Sequence, residues 1–175
     1  FIFENVKGSK HPSVGGIFTT MDRYGLIFNA DASEKYTCDE AGGRVLSGIA
    51  HPIENIVLDK GPISEEKFFD DAINLKDFPV ATFFELDSGP FITSAVGIFK
   101  KPNGVINVGF YRCMIVDRNH LLINASGLSD LRKSYDWHRE NNKEMSVAMV
   151  IGAPPPLLMA AASKCPDDIS ELEVA

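Results

Sequence analysis

Between residues 92 and 125, apolar residues recur in short runs punctuated by turn-forming residues. Such alternation over four to eight residues is the signature of antiparallel strands. Residues 92–99 and 105–116 read as the two arms of a hairpin, with Pro102-Asn103-Gly104 as its turn. Asp117-Arg118-Asn119 then leads into a further strand over 120–125. Residues 147–151 read as a buried strand, 80–84 as another, and 2–6 and 14–19 as a short pair around Gly8-Ser9-Lys10-His11-Pro12. Helical spacing is found in four places. Residues 20–29 place Leu26 and Ile27 inward, and residues 64–73 open on Ser64 as N-cap with Glu65 and Glu66 in the first turn. Residues 129–142 put Leu131, Tyr135 and His138 on one face. Pro154-Pro155-Pro156 opens an apolar helix over 155–163, since proline is welcome in a first turn. Residues 33–60 give no assignment, because Gly42-Gly43 and Pro52 break any long element. The expected fold is α+β: an antiparallel sheet of six or more strands, closing into a barrel, with peripheral helices.

Composition narrows the function. At 175 residues and 45% hydrophobic, the chain is expected to form a packed globule. A net charge of −7 argues against general nucleic-acid or anionic-membrane binding. Any phosphate ligand must then be held by local cations, helix N-termini or a metal. Cys38, Cys113 and Cys165 are odd in number and lack a CxxC pattern, which fits a reducing, cytoplasmic setting. No apolar run reaches membrane-spanning length, and Phe1-Ile2-Phe3-Glu4 lacks the features of a secretory leader. The chain lacks an initiator Met, and Glu171-Leu172-Glu173-Val174-Ala175 stops inside a helix-like pattern, so both ends are expected to be cut ends of a longer chain.

Candidate chemistry concentrates after the hairpin turn. Asn107 and Arg112 are polar groups in an apolar, β-prone run, and burying them without partners is costly. Their parity differs, so a regular strand points them to opposite faces. Gly109 between them is compatible with a bulge that would turn both toward one pocket. The alternative is that Asn107 caps a turn while Arg112 snorkels to solvent. Asp130 reads as a first-turn carboxylate favoured by the helix dipole, with Ser129 or Asp130 itself as the N-cap. Glu171 and Glu173 read most simply as surface charge. His11, His51, His120 and His138 lack metal-ligand spacing, and there is no GxSxG, P-loop or GxGxxG motif.

The order and spacing of several segments resemble the UbiD family of prenylated-flavin-dependent decarboxylases. These are Phe3-Glu4-Asn5-Val6-Lys7-Gly8, Gly89-Pro90-Phe91-Ile92-Thr93, and Gly104-Val105-Ile106-Asn107-Val108-Gly109-Phe110-Tyr111-Arg112. Val147-Ala148-Met149-Val150-Ile151-Gly152-Ala153-Pro154-Pro155, Met159-Ala160-Ala161-Ala162 and Glu171-Leu172-Glu173-Val174-Ala175 complete the match. The resemblance implies an N-terminal α/β segment over residues 1–80. It implies a flavin-binding split-barrel middle domain over residues 81–175, cut before a C-terminal domain that carries the proton-transferring acid.

It also implies roles. The Asn107, Asp130 and Glu171 positions would ligate a divalent metal, usually Mn2+, that bridges to the cofactor phosphate. Asp130 stands where many members have histidine, and an aspartate oxygen is also a good Mn2+ ligand. Ala160, Ala161 and Ser163 resemble a carbonyl-rich loop around K+. The implied cofactor-binding set is Asn107, Phe110, Tyr111, Arg112, Ser129 and Asp130, with Arg112 the catalytic residue that pairs with the substrate carboxylate. The expected activity is reversible, non-oxidative decarboxylation of an aromatic or α,β-unsaturated carboxylic acid, with prenylated FMN made by a flavin prenyltransferase partner. Neither nucleic acid nor membrane insertion is expected, and the full-length protein is expected to be a homo-oligomer. Two other readings stand beside it: a non-catalytic flavin-binding module, and a flavin reductase-like split barrel.

Overall fold

The hairpin is the organising element of the computed structural model, which describes residues 1–28 and 36–175. Strands β4 (Val96–Lys100) and β5 (Ile106–Phe110) pair antiparallel, from Val96 opposite Phe110 to Lys100 opposite Ile106. Gly104 closes the turn at φ +93°, a left-handed conformation open to glycine at no steric cost. The Asn103 side chain accepts from the Val105 N–H at 3.1 Å. On its other side β4 pairs with β8 (Val147–Val150), giving the order β5-β4-β8. Val96, Val108, Ala153, Leu157 and Ala161 form the core beneath this sheet, where α4 (Pro155–Ala162) packs.

A second antiparallel sheet has the order β3-β6-β7, from β3 (Phe91–Ile92), β6 (Cys113–Ile115) and β7 (Leu121–Ile123). Its core is Ile92, Ala95, Cys113 and Ile115. A two-residue pair, β1 (Ile2–Phe3) with β2 (Ser13–Val14), stands apart. Antiparallel pairing with peripheral helices therefore holds, but the expected barrel does not: the strands form three small open sheets. The chain leaves the first sheet at Phe110 and enters the second at Cys113, so no ladder joins the two. Tyr111 folds back over β4 and β5 instead of extending β5, and the outer edge of β5 is closed by a side chain, Glu171.

The helices are α1 (Met21–Ile27), α2 (Cys38–Ala50), α3 (Asp130–Glu140), α4 and the short α5 (Glu171–Val174). In α1 Leu26 is exposed, contrary to the inward placement expected. Residue 29 of that expected helix, and residues 33–35 of the unassigned stretch, lie outside the described residues. Helix α2 was not anticipated. A reciprocal capping box starts it: the Glu40 N–H donates to the Thr37 hydroxyl, and the Thr37 N–H to the Glu40 carboxylate. Gly42 and Gly43 sit inside it. In place of the expected 64–73 helix there are three single 3-10 turns at Pro62–Ser64, Asp70–Ala72 and Leu75–Asp77. Phe68 and Phe69 remain exposed, so no buried face supports a helix there. The expected 80–84 strand is not formed. In α3 the buried side is Leu131 and Ser134, while Tyr135 faces out. No helix among the described residues is long and apolar enough to cross a membrane.

Candidate functional site

The outer edge of β5 carries backbone N–H groups that face away from β4. Helix α5 meets this edge. Ser170 caps α5, accepting from the Leu172 N–H, and thereby sets Glu171 against the strand. The Glu171 carboxylate accepts from the Val108 N–H at 2.8 Å and from the Asn107 amide Nδ2 at 3.1 and 3.2 Å. Both side chains are buried, at 4% exposure for Asn107 and 5% for Glu171. A buried carboxylate is tolerable when it is hydrogen-bonded in this way.

Tyr111 completes the corner. Asn107 presents its amino group to Glu171. Its oxygen then accepts from the Tyr111 hydroxyl at 3.3 Å. Room for the Tyr111 ring comes from the cross-strand pair Gly97 and Gly109. A Cβ at Gly97 would lie 2.8 Å from Tyr111 Cδ2, and one at Gly109 would lie 3.1 Å from the Tyr111 hydroxyl. The Phe99 ring flanks it at 6.0 Å between centroids. Burial first, then the Asp130 and Glu171 charges, push the Tyr111 phenol up to about 12, against an opposing Leu131 N–H. The hydroxyl is therefore protonated at neutral pH and free to donate.

Asp130 is the first residue of α3. Ser129 is its N-cap, accepting from the Arg132 N–H at 3.2 Å and donating to the Ser126 carbonyl at 2.8 Å. The Asp130 carboxylate accepts from Lys133 Nζ at 3.1 Å. Asp130 and Glu171 thus approach Tyr111 from different elements, while Asn107 and Glu171 touch directly. No three His, Cys, Asp or Glu side chains among the described residues gather closely enough to hold a metal by themselves. The donors in this corner are two carboxylates and an amide, an all-oxygen set of the kind that hard divalent cations take.

Arg112 lies elsewhere. The β4–β5 register runs unbroken through Gly97 opposite Gly109, so there is no bulge to turn Arg112 toward Asn107. Arg112 is exposed and places its guanidinium 5.4 Å from the Phe91 ring centroid. It borders two cavities. One of about 680 Å³ includes Phe91, Met114, Leu131, Tyr135 and Val147 in its wall. The other, of about 460 Å³, includes Phe83, Phe84 and Leu86. No ion pair among the described residues engages Arg112. Phe110, the last residue of β5, is 43% exposed. Ala160 and Ala161 are buried in α4. Ser163 caps that helix, with its N–H on the Ala160 carbonyl and its hydroxyl on the Met159 carbonyl.

Sequence reasoning assigned only the backbone around Tyr111 and missed its hydroxyl. The signal was there: two glycines that face each other across a hairpin mark a place where a ring can lie on the sheet.

An uncharacterized protein of Aquifex aeolicus (strain VF5) is 33% identical over 116 residues, 66% of this chain and 24% of that protein. Anhydromevalonate phosphate decarboxylase of Methanothermobacter thermautotrophicus is 25% identical over 182 residues, 99% of this chain and 39% of the enzyme. The evolved dimeric form of the UbiD-class enzyme HmfF from Pelotomaculum thermopropionicum, solved in complex with prFMN, superposes with a TM-score of 0.86. It is 22% identical and covers 99% of this chain and 40% of its own. The chain thus spans two fifths or less of the length of these relatives. Residues 55–175 match the family model described as UbiD, 3-octaprenyl-4-hydroxybenzoate carboxy-lyase Rift-related domain, and the chain belongs to that family.

Proposed function

We propose that this chain forms the cofactor-binding part of a non-oxidative carboxy-lyase acting, reversibly, on an aromatic or α,β-unsaturated carboxylic acid. The observation that carries this reading is the buried corner of Asn107, Glu171 and Tyr111 beside the start of α3, with Arg112, free of ion pairs among the described residues, in the wall of two cavities. The decarboxylase name of one relative and the prFMN complex of another support it. Prenylated FMN, when bound, supplies the electron sink for loss of CO2.

The protein's own residues bind and orient. Asn107, Asp130 and Glu171 would hold a hard divalent cation, Mn2+ in this reading, and so reconcile an acidic chain with a cofactor phosphate. Ser129 fixes the start of α3 and hence Asp130. The edge at Phe110 and Tyr111 offers backbone to a flat ring. Arg112, stacked on Phe91, keeps a planar fork free for the substrate carboxylate. The end of α4 fits K+ less well. Ser163 already takes the Ala160 and Met159 carbonyls, and no role there enters the reading.

The test uses the whole protein, produced together with a flavin prenyltransferase. Arg112→Lys keeps the charge but loses the two-pronged geometry. With a charge-assisted bond worth about 1.5–3 kcal/mol, turnover of a cinnamate- or hydroxybenzoate-type acid should fall about 10- to 100-fold with the flavin retained. Loss of flavin with a normal rate per remaining cofactor contradicts the assignment. Retained cofactor with no CO2 release from any such acid favours a non-catalytic flavin-binding module.

A further inference from the structure

The Asn107 amide can present either its oxygen or its amino group to a given neighbour, and only the oxygen can meet a cation. Two contacts settle the choice. Glu171 accepts from the amino group, and the Tyr111 hydroxyl donates to the oxygen. Tyr111 is itself fixed. Its ring lies in the gap left by Gly97 and Gly109, and its oxygen lies near the Leu131 N–H at the start of α3. One side chain thereby lies between β5 and the start of the helix that carries Asp130.

We propose that Tyr111 is a positioning residue for the cation site. Its hydroxyl orients the Asn107 amide so that the oxygen turns toward the start of α3 and the amino group toward Glu171. The inference rests on the reading of Asn107, Asp130 and Glu171 as cation ligands and adds a residue that touches no cation. Tyr111→Phe keeps the ring in its slot and removes only the hydroxyl. One neutral hydrogen bond lost from an organised site corresponds to a weakening of about three- to tenfold in Mn2+ affinity.

The experiment is a titration of Mn2+ into the whole, metal-stripped protein with FMN present, with the free ion counted by electron paramagnetic resonance. Urea midpoints without metal serve as the folding control. Tyr111→Phe should bind Mn2+ about three- to tenfold more weakly while still unfolding cooperatively, its metal-free midpoint lower by no more than roughly 0.7 M, the share of one hydrogen bond. The same change in an Asn107→Asp background should cost less than about twofold, because a carboxylate presents an oxygen whichever way it turns. An equal loss in both backgrounds marks Tyr111 as general scaffolding and overturns the proposal. Unchanged or tighter binding by Tyr111→Phe overturns it as well, the latter meaning that the hydroxyl competes for the amide oxygen. Asn107→Ala and Glu171→Gln separate the two levels. If they abolish binding while Tyr111→Phe does not change it, only the positioning role fails. If they leave binding intact, the cation-site reading fails and the positioning role falls with it.

Discussion

Gly97→Ala tests the packing beneath the site. Its backbone is not in the left-handed region, so alanine is allowed there, and the cost comes from contact alone. The new Cβ would lie 2.8 Å from Tyr111 Cδ2, 3.3 Å from Tyr111 Cε2 and 3.3 Å from Met149 Sδ. Real Cβ contacts are not that short, so the ring must shift, and a shift opens the 3.3 Å bond from its hydroxyl to Asn107. Overpacking of this kind costs about 1–3 kcal/mol. Replacing glycine returns about 0.4–1 kcal/mol by restricting the unfolded chain. The mid-values of the two ranges leave a net loss of about 1.3 kcal/mol, or roughly 0.7 M in urea midpoint for a slope near 2 kcal/mol/M. In a Tyr111→Ala background the obstacle is gone, and Gly97→Ala should become neutral or stabilising by about 0.4–1 kcal/mol. The assay is equilibrium urea unfolding of the four proteins in the cycle. A Gly97→Ala protein as stable as wild type refutes the reasoning, and so does a loss of equal size in both backgrounds.

Three further outcomes are expected. Thr37→Ala removes the hydroxyl that accepts from the Glu40 N–H, leaving only the backbone half of the capping box on α2, and should lower stability by about 1 kcal/mol in chemical unfolding, with reduced helical circular dichroism if α2 frays. In the turn between β6 and β7, the Asn119 N–H and then the His120 ring hold the Asp117 carboxyl below the usual aspartate range. Because its folded value is depressed, the stabilisation is present above the unfolded value near 4 and is lost as pH falls through the folded value. Asp117→Asn should therefore flatten the acid limb of a plot of urea midpoint against pH, and an unaltered limb would show that the turn does not couple to folding. Burial pushes the Cys113 thiol up, so Cys38 should react first with a thiol reagent and Cys113 only on unfolding.

The hairpin was legible because its turn chemistry and its alternation agree, and α3 and α4 because their caps are local signals: Ser129 in one, the proline run in the other. Helix α2 was obscured by Gly42-Gly43. Their helix penalty is outweighed by the Thr37–Glu40 box, and Ala41 is buried. Residues 64–73 failed the other way. Their capping signal was sound, but Phe68 and Phe69 find no surface to cover. Closure of a barrel depends on which strand edges meet, and the parity of residues 105–116 does not encode that. The Asn107–Glu171 contact spans 64 residues, so only family resemblance could suggest it, and Arg112 lies two residues past the end of β5, where strand parity no longer applies. Tyr111 lay in plain view, and its role becomes legible once Gly97 and Gly109 are read as partners across the hairpin.

The four residues of α5 have a consequence for the order in which the molecule is made. Glu171 seals the β5 edge, the Glu173 carbonyl accepts from the Ile53 N–H at 2.9 Å, and the Val174 carbonyl lies so close to Gly48 of α2 that a Cβ there would sit 2.7 Å away. Two early parts of the chain therefore wait for one late segment. Glu171 leaves the ribosome 64 residues after Asn107. At about 5–20 residues per second that interval is roughly 3–13 s. For those seconds the nascent hairpin shows an open strand edge with no carboxylate to occupy it, the kind of edge that recruits strands from neighbouring chains. The most buried acid of the site is also the group whose late arrival ends the exposure of that edge.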